Sequence, residues 1–166
     1  MPSLPQGYTL GRDGSGIVLV RAEFVDRHGE PDTLALFFGK RIALKCTREE
    51  NREEYQLSPV GDGQTVDFYV ALPPGIYRYY DPTRRDHNDM LRFEIRPGVV
   101  ECLGTIRFRN RGAWAGGVLD LSLHDDCDAI VQRFRTSHPE VTQEVVREPF
   151  RKYTYDWQDR VWVPQP

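Results

Sequence analysis

A chain of 166 residues is long enough for one well-packed core and short for two. Its 39% hydrophobic and 28% charged content excludes the disordered class. The net charge of −3 offers no general attraction to nucleic acid, and no apolar run approaches the ~20 residues that a membrane span requires.

Along the chain, residues 1–15 form a Gly- and Pro-rich lead-in without a basic segment followed by an apolar one. A cytoplasmic location follows if Met1 is the native start, and the cell envelope or periplasm if a leader was removed. "GIVLVRAEFVD" (16–26) then alternates Val18, Val20, Ala22 and Phe24 against polar or smaller partners, the period of a strand. "RHGEPD" (27–32) makes a turn. Strands follow at "TLALFF" and at "KRIALKC", where Ile42, Leu44 and Cys46 share a face. "TREENREE" (47–54) reads as a solvated loop or edge, because its charge argues against burial. After a short strand at "EEYQLSP" and a turn at "GDG" (61–63), "TVDFYVAL" puts Val66, Phe68, Val70 and Leu72 on one face.

In "LPPGIYRYYD" (72–81), Pro73 and Pro74 cannot donate to a ladder and Gly75 tolerates positive φ. The strand must therefore stop and reverse, and "IYRYYD" supplies the next one. "MLRFEI" (90–95) sets Leu91, Phe93 and Ile95 against Arg92 and Glu94. "RPG" turns the chain into "VVECLGTIRFRNR", with Cys102, Gly104, Ile106 and Phe108 expected on one face. "GVLDLSLH" aligns Leu119, Leu121 and Leu123. In "HDDCDAIVQRFRTSHP", Cys127, Ile130, Val131 and Phe134 have helical spacing, Asp125 and Asp126 suit the N-terminal cap, and Pro139 bars continuation. The tail from 150 is rich in aromatics and either adds a strand or wraps the sandwich.

About eight strands at spacings near ten residues indicate a single antiparallel β-sandwich or barrel with one packed α-helix over about 125–137. The expected organisation is a lead-in (1–15), a sandwich with one helix (16–149) and an aromatic C-terminal extension (150–166). Cys46, Cys102 and Cys127 are an odd, widely spaced trio, leaving open whether two of them pair.

Leu72 to Tyr77 and Pro97 to Ile106, followed by the acidic-capped helix ending in "HPE", carry a resemblance to bacterial prealbumin-like (transthyretin-like) and carboxypeptidase-regulatory-like β-sandwich proteins. In these a strand ends in Leu-Pro-Pro-Gly-x-Tyr, and a later one has the form Pro-Gly-x-Val-x-x-Leu-Gly-x-Ile. The resemblance spans residues 66–140 and implies a prealbumin-like fold, envelope lipoproteins or accessory modules, and no catalytic role for the shared positions. This chain departs from the lipoprotein members in lacking a leader and a lipobox cysteine near its start.

The chemical candidates reduce to structure. Asp81, Asp86, His87, Asn88 and Asp89 lack the spacing of a calcium loop, and Arg84 and Arg85 oppose a cation there. His124 and Cys127 form one His-x-x-Cys pair without a second, and Cys127 falls on the apolar stripe, where a thiol is inert. "GRDGSG" (11–16) has no Lys-Ser/Thr and leads into a strand, so it fails as a phosphate loop, and no nucleophile elbow or metalloprotease motif occurs. The sequence implies no enzyme and no cofactor.

Two surface features remain. Arg107, Arg109 and Arg111 alternate along one strand, with Arg92 and Arg96 beside them if the two strands pair; such a stripe meets an acidic protein partner or is a solvated face balanced by Glu94, Glu101 and Asp120. Tyr153, Tyr155 and Trp157 alternate near Trp162, either stacking on sugar rings or anchoring the tail. The expected function is a non-enzymatic interaction or accessory module that binds another protein through a sheet face or edge, the alternative being a carbohydrate-binding module. Nucleic acid and membrane insertion are not expected.

Overall fold

A computed structural model describes residues 10, 13–31, 44–60, 63–80, 89–110 and 119–166. The expected strand at "TLALFF", Ile42, the 81–88 loop with His87, and Arg111 lie outside these residues. The protein is mainly β, with two sheets and one described helix. In the five-stranded sheet, β4 (Thr65–Leu72), β1 (Gly16–Val25), β7 (Val100–Asn110) and β8 (Leu119–His124) lie in that order, and β9 (Val145–Arg147) also pairs with β7. The six-stranded sheet orders β11 (Val161–Pro164), β10 (Arg151–Asp156), β6 (Asp89–Ile95), β5 (Gly75–Tyr80), β2 (Leu44–Arg48) and β3 (Glu54–Leu57). No described helix is long and apolar enough to cross a membrane.

Between the sheets, Val18, Val20 and Ala22 meet Leu44, Cys46, Leu91, Phe93 and Ile95, as the alternation in each strand predicts. β1 is buried on its other face too, where Ile17 and Leu19 lie beneath α1 (Cys127–Ser137) with Tyr69, Ile130 and Phe134. The uninterrupted apolar run "GIVLV" is therefore the mark of a central strand covered on both sides. Three layers result: sheet, sheet and helix.

The five-stranded sheet is mixed, because β1 and β7 run parallel, as do β7 and β9. A tight hairpin forces antiparallel neighbours, whereas a chain that crosses from one sheet to the other does not. Both apparent reversals in the sequence are such crossings. β4 ends at Leu72 in one sheet and β5 begins at Gly75 in the other. Tyr77 secures this corner from within the core, its hydroxyl donating to the Pro73 carbonyl at 2.7 Å. "RPG" likewise carries the chain from β6 to β7 between the sheets.

One register break overturns an expected face. Leu19 opposes Cys102 but Arg21 opposes Thr105, so β7 carries one extra residue there. This bulge turns Cys102 toward the helix while Leu103, Ile106 and Phe108 face the sandwich. Gly104 lies in the bulge with φ +84°, and a Cβ there would stand 2.4 Å from the His124 carbonyl oxygen.

Facing the helix, Cys102 bonds to Cys127 across 25 residues, and Cys46 remains free and buried. Burial pushes the Cys46 thiol up to about 12. Beside the disulfide, Arg21 clasps Asp67 (Nε–Oδ1 2.6 Å, Nη2–Oδ2 3.3 Å), and the Tyr69 hydroxyl donates to the same carboxylate at 3.1 Å. Asp126 precedes the helix as expected, but its side chain caps no helical N–H. It instead accepts from the Thr105 hydroxyl at 2.6 Å and lies 3.6 Å from Arg21, so it fastens the helix to the sheet.

Two outcomes follow. Gly104→Ala, which adds a clash to a left-handed backbone, lowers the unfolding free energy by roughly 2 kcal/mol or more in urea titrations. Replacing Cys102 and Cys127 together by Ala costs about 3–4 kcal/mol in the same assay, the loop-closure entropy of a bridge of this span; an unchanged midpoint would count against the staple.

Candidate functional site

Pairing register assembles a row of arginines on the outer face of the six-stranded sheet. Arg78 opposes Arg92 on β6, and Arg92 opposes Arg151 on β10. Neighbouring core residues alternate inward, so all three guanidiniums point away from the sandwich. Like charges placed opposite one another destabilise a sheet unless something bridges them. The bridge is Glu49, from the turn after β2. Its backbone N–H donates to the Ile76 carbonyl at 2.8 Å, which pins the turn over β5. Its carboxylate accepts from Arg78 Nε at 2.6 Å and from Arg92 Nε at 2.8 Å and Nη2 at 3.2 Å. Burial pushes this carboxyl up, but the two arginines outweigh that and hold it below the ordinary glutamate value. The charged segment 47–54 is thus not wholly solvated, since the Glu49 side chain is only 17% exposed.

Beyond Arg92 the row opens into a cleft of about 110 Å³ lined by Ile76, Arg92, Phe93, Glu94, Glu148, Pro149, Arg151 and Tyr153. The Arg92 guanidinium stands 5.8 Å from the centre of the Tyr153 ring. Arg151 reaches Glu148 at 3.5 Å. The structure therefore joins residues that the sequence assigned to two separate surfaces, Arg92 to a cationic stripe and Tyr153 to an aromatic tail.

The stripe itself is divided. β6 and β7 belong to different sheets, so Arg92 and Arg96 do not flank Arg107 and Arg109. Arg96 turns to Glu101 instead (Nε–Oε1 2.6 Å). Glu101 is fully buried, and burial raises its carboxyl above the ordinary value despite Arg96. On the outer face of the other sheet Arg107 donates to Glu23 at 2.9 Å, and Arg109 is exposed one pair further along. Arg78, Arg151 and Glu49 were not singled out in the sequence, because cross-strand register is what brings them together.

The tail joins the sheet as a hairpin. Phe150 enters the core, β10 pairs with β6, and β11 forms the outermost strand. Tyr155 and Trp162 are register partners with ring centres 5.2 Å apart at 65°, and Trp157 meets Tyr155 at 4.8 Å and 81°. The rings pack edge to face and share no common plane. Trp157 nonetheless stands 69% exposed.

Among the described residues no three His, Cys, Asp or Glu side chains gather as a metal site. His124 is exposed with a ring nitrogen 2.9 Å from the Ser122 hydroxyl, and Cys127 is bonded to Cys102.

Glu49→Gln lowers stability at neutral pH by about 1–2 kcal/mol, as two facing guanidiniums lose their shared acceptor. Because the folded carboxyl lies below its unfolded value, this contribution is present above the ordinary glutamate range and fades as pH falls through the folded value. Urea midpoints of the two proteins, followed against pH, converge in acid; a gap that persists there would assign the effect to something other than the charge. Comparison with protein-family models, curated proteins and solved structures finds no match to this chain.

Proposed function

We propose that the chain is a non-enzymatic interaction module that binds another protein through the free edge of its six-stranded sheet. The observation that carries this reading is the character of the terminal hairpin. Trp157, Val161 and Val163 are 69%, 48% and 39% exposed, and among the described residues only Val60 is comparable for a large hydrophobic side chain. Val161 and Val163 lie on β11, which has no described strand on its outer side, and Trp157 stands in the turn that precedes it. Edge strands are usually protected by charge, bulges or proline, because their unpaired N–H and C=O groups template a further strand. Here Pro164 ends the strand, and the three residues before it are apolar, with Val161 and Val163 exposed.

An extended segment of a partner protein fits this edge, adding a strand by main-chain hydrogen bonds while side chains on one of its faces meet Val161 and Val163. The resemblance to prealbumin-like accessory modules supports the same reading. Glycan stacking on the tail aromatics has less support, because edge-to-face rings offer a sugar no shared platform.

The test compares partner capture from host lysate by the native protein and by the double variant Val161→Lys, Val163→Lys. Both side chains are exposed, so the melting temperature stays within a degree or so. A partner held by the native protein and lost with the variant supports the edge. A partner retained by the variant but lost on reversing Arg107 and Arg109 transfers the interface to the opposite sheet and overturns this reading.

A further inference from the structure

We propose that the cleft between Arg92, Glu94, Glu148, Arg151 and Tyr153 binds one uncharged sugar residue of a glycan. Its size points first to a single small ring. About 110 Å³ falls well short of the ~300–1,000 Å³ of pockets that enclose whole drug-sized ligands. A longer chain would therefore seat one ring here and continue along the sheet surface.

The lining chemistry selects what that ring carries. Two guanidiniums and two carboxylates surround the space, so their charges cancel. An anion drawn to Arg92 and Arg151 would face Glu94 and Glu148, and a cation would meet the converse. Guanidiniums only donate hydrogen bonds and carboxylates only accept them, while a sugar hydroxyl does both. Each hydroxyl can thus link one member of each kind. Tyr153, Pro149 and Ile76 add an apolar wall for the C–H face of the ring.

The main donor is already in place before any ligand arrives. Glu49 grips Arg92 through two nitrogens at 2.8 and 3.2 Å, and the Tyr153 ring lies alongside it. Binding therefore loses little side-chain freedom at Arg92. Arg151, whose side chain is 68% exposed and whose contact with Glu148 is 3.5 Å long, is free to adjust to the ligand. No residue of β11 lines the cleft, although Tyr153 in its wall pairs with Pro164.

The full chain, labelled with nitrogen-15, is titrated with cello-, xylo- and malto-hexaose and with an oligogalacturonate of similar length. The expected result is saturable amide shifts centred on 92–94 and 148–153 with a neutral oligosaccharide. Arg151→Ala and Glu148→Gln then each weaken binding about tenfold, the loss of one charge-assisted hydrogen bond, without lowering the melting temperature. Val161→Lys, which disables the proposed protein edge, leaves the titration unchanged. Absence of saturable shifts with every neutral oligosaccharide overturns the proposal. So does binding of the galacturonate alone, and shifts centred on Trp157 and Trp162 would overturn it by placing the sugar at the hairpin.

Discussion

Everything in this fold depends on β7 serving two cores with one strand. A regular strand turns alternate side chains to opposite faces for its whole length. β7 cannot keep that rhythm, because its first half must present Val100 and Cys102 to the helix and its second half Ile106 and Phe108 to the sandwich. The extra residue at the Leu103–Gly104 bulge changes the phase between them. With that change Cys102 reaches Cys127, Thr105 reaches Asp126, and the helix has both a covalent and a polar attachment to the sheet. A side chain at position 104 has no space, since the His124 carbonyl occupies the place of its Cβ.

The polar layer beneath the helix has its own logic. Arg21 and Asp67 are both nearly buried, and a buried ion pair stabilises little unless its remaining hydrogen-bonding capacity is met. Tyr69 and Asp126 meet much of it from β4 and from the start of the helix. The orientation of α1 is therefore specified by charge as well as by Ile130 and Phe134. An apolar stripe alone would tolerate more than one docking angle, whereas a bidentate pair flanked by a second carboxylate tolerates few.

On the far face the same chemistry is used more sparingly. Three arginines fall in register across β5, β6 and β10, and Glu49 from a neighbouring turn accepts from the first two. The third meets Glu148 beside an open cleft. The aromatic tail extends this face, since β10 and β11 continue the sheet instead of wrapping over it. Side chains from three strands and two turns thus share one surface, and the cleft lies beside the hairpin that ends in β11.

The sequence by itself determined the strands and the helix, because alternation and 3.6-residue spacing are local properties of burial. Val66 to Leu72, Leu91 to Ile95 and Cys127 to Phe134 lie in the elements, and on the faces, that their periodicity predicts. The two-sheet sandwich with one packed helix was legible for the same reason. Only the tertiary structure decided which strands are neighbours. Leu-Pro-Pro-Gly specifies that β4 stops, but not whether the chain returns along the same sheet or crosses to the other, since both paths satisfy the same prolines. The parity change at Gly104 was hidden too, because a bulge consumes one residue without altering composition. The candidate site was least legible of all. Arg78, Arg92 and Arg151 are spread over 74 positions of the chain, and Glu49 lies in a segment that reads as solvent-facing. Their proximity is a consequence of register between strands, which depends on how whole sheets pack and not on any one stretch of residues.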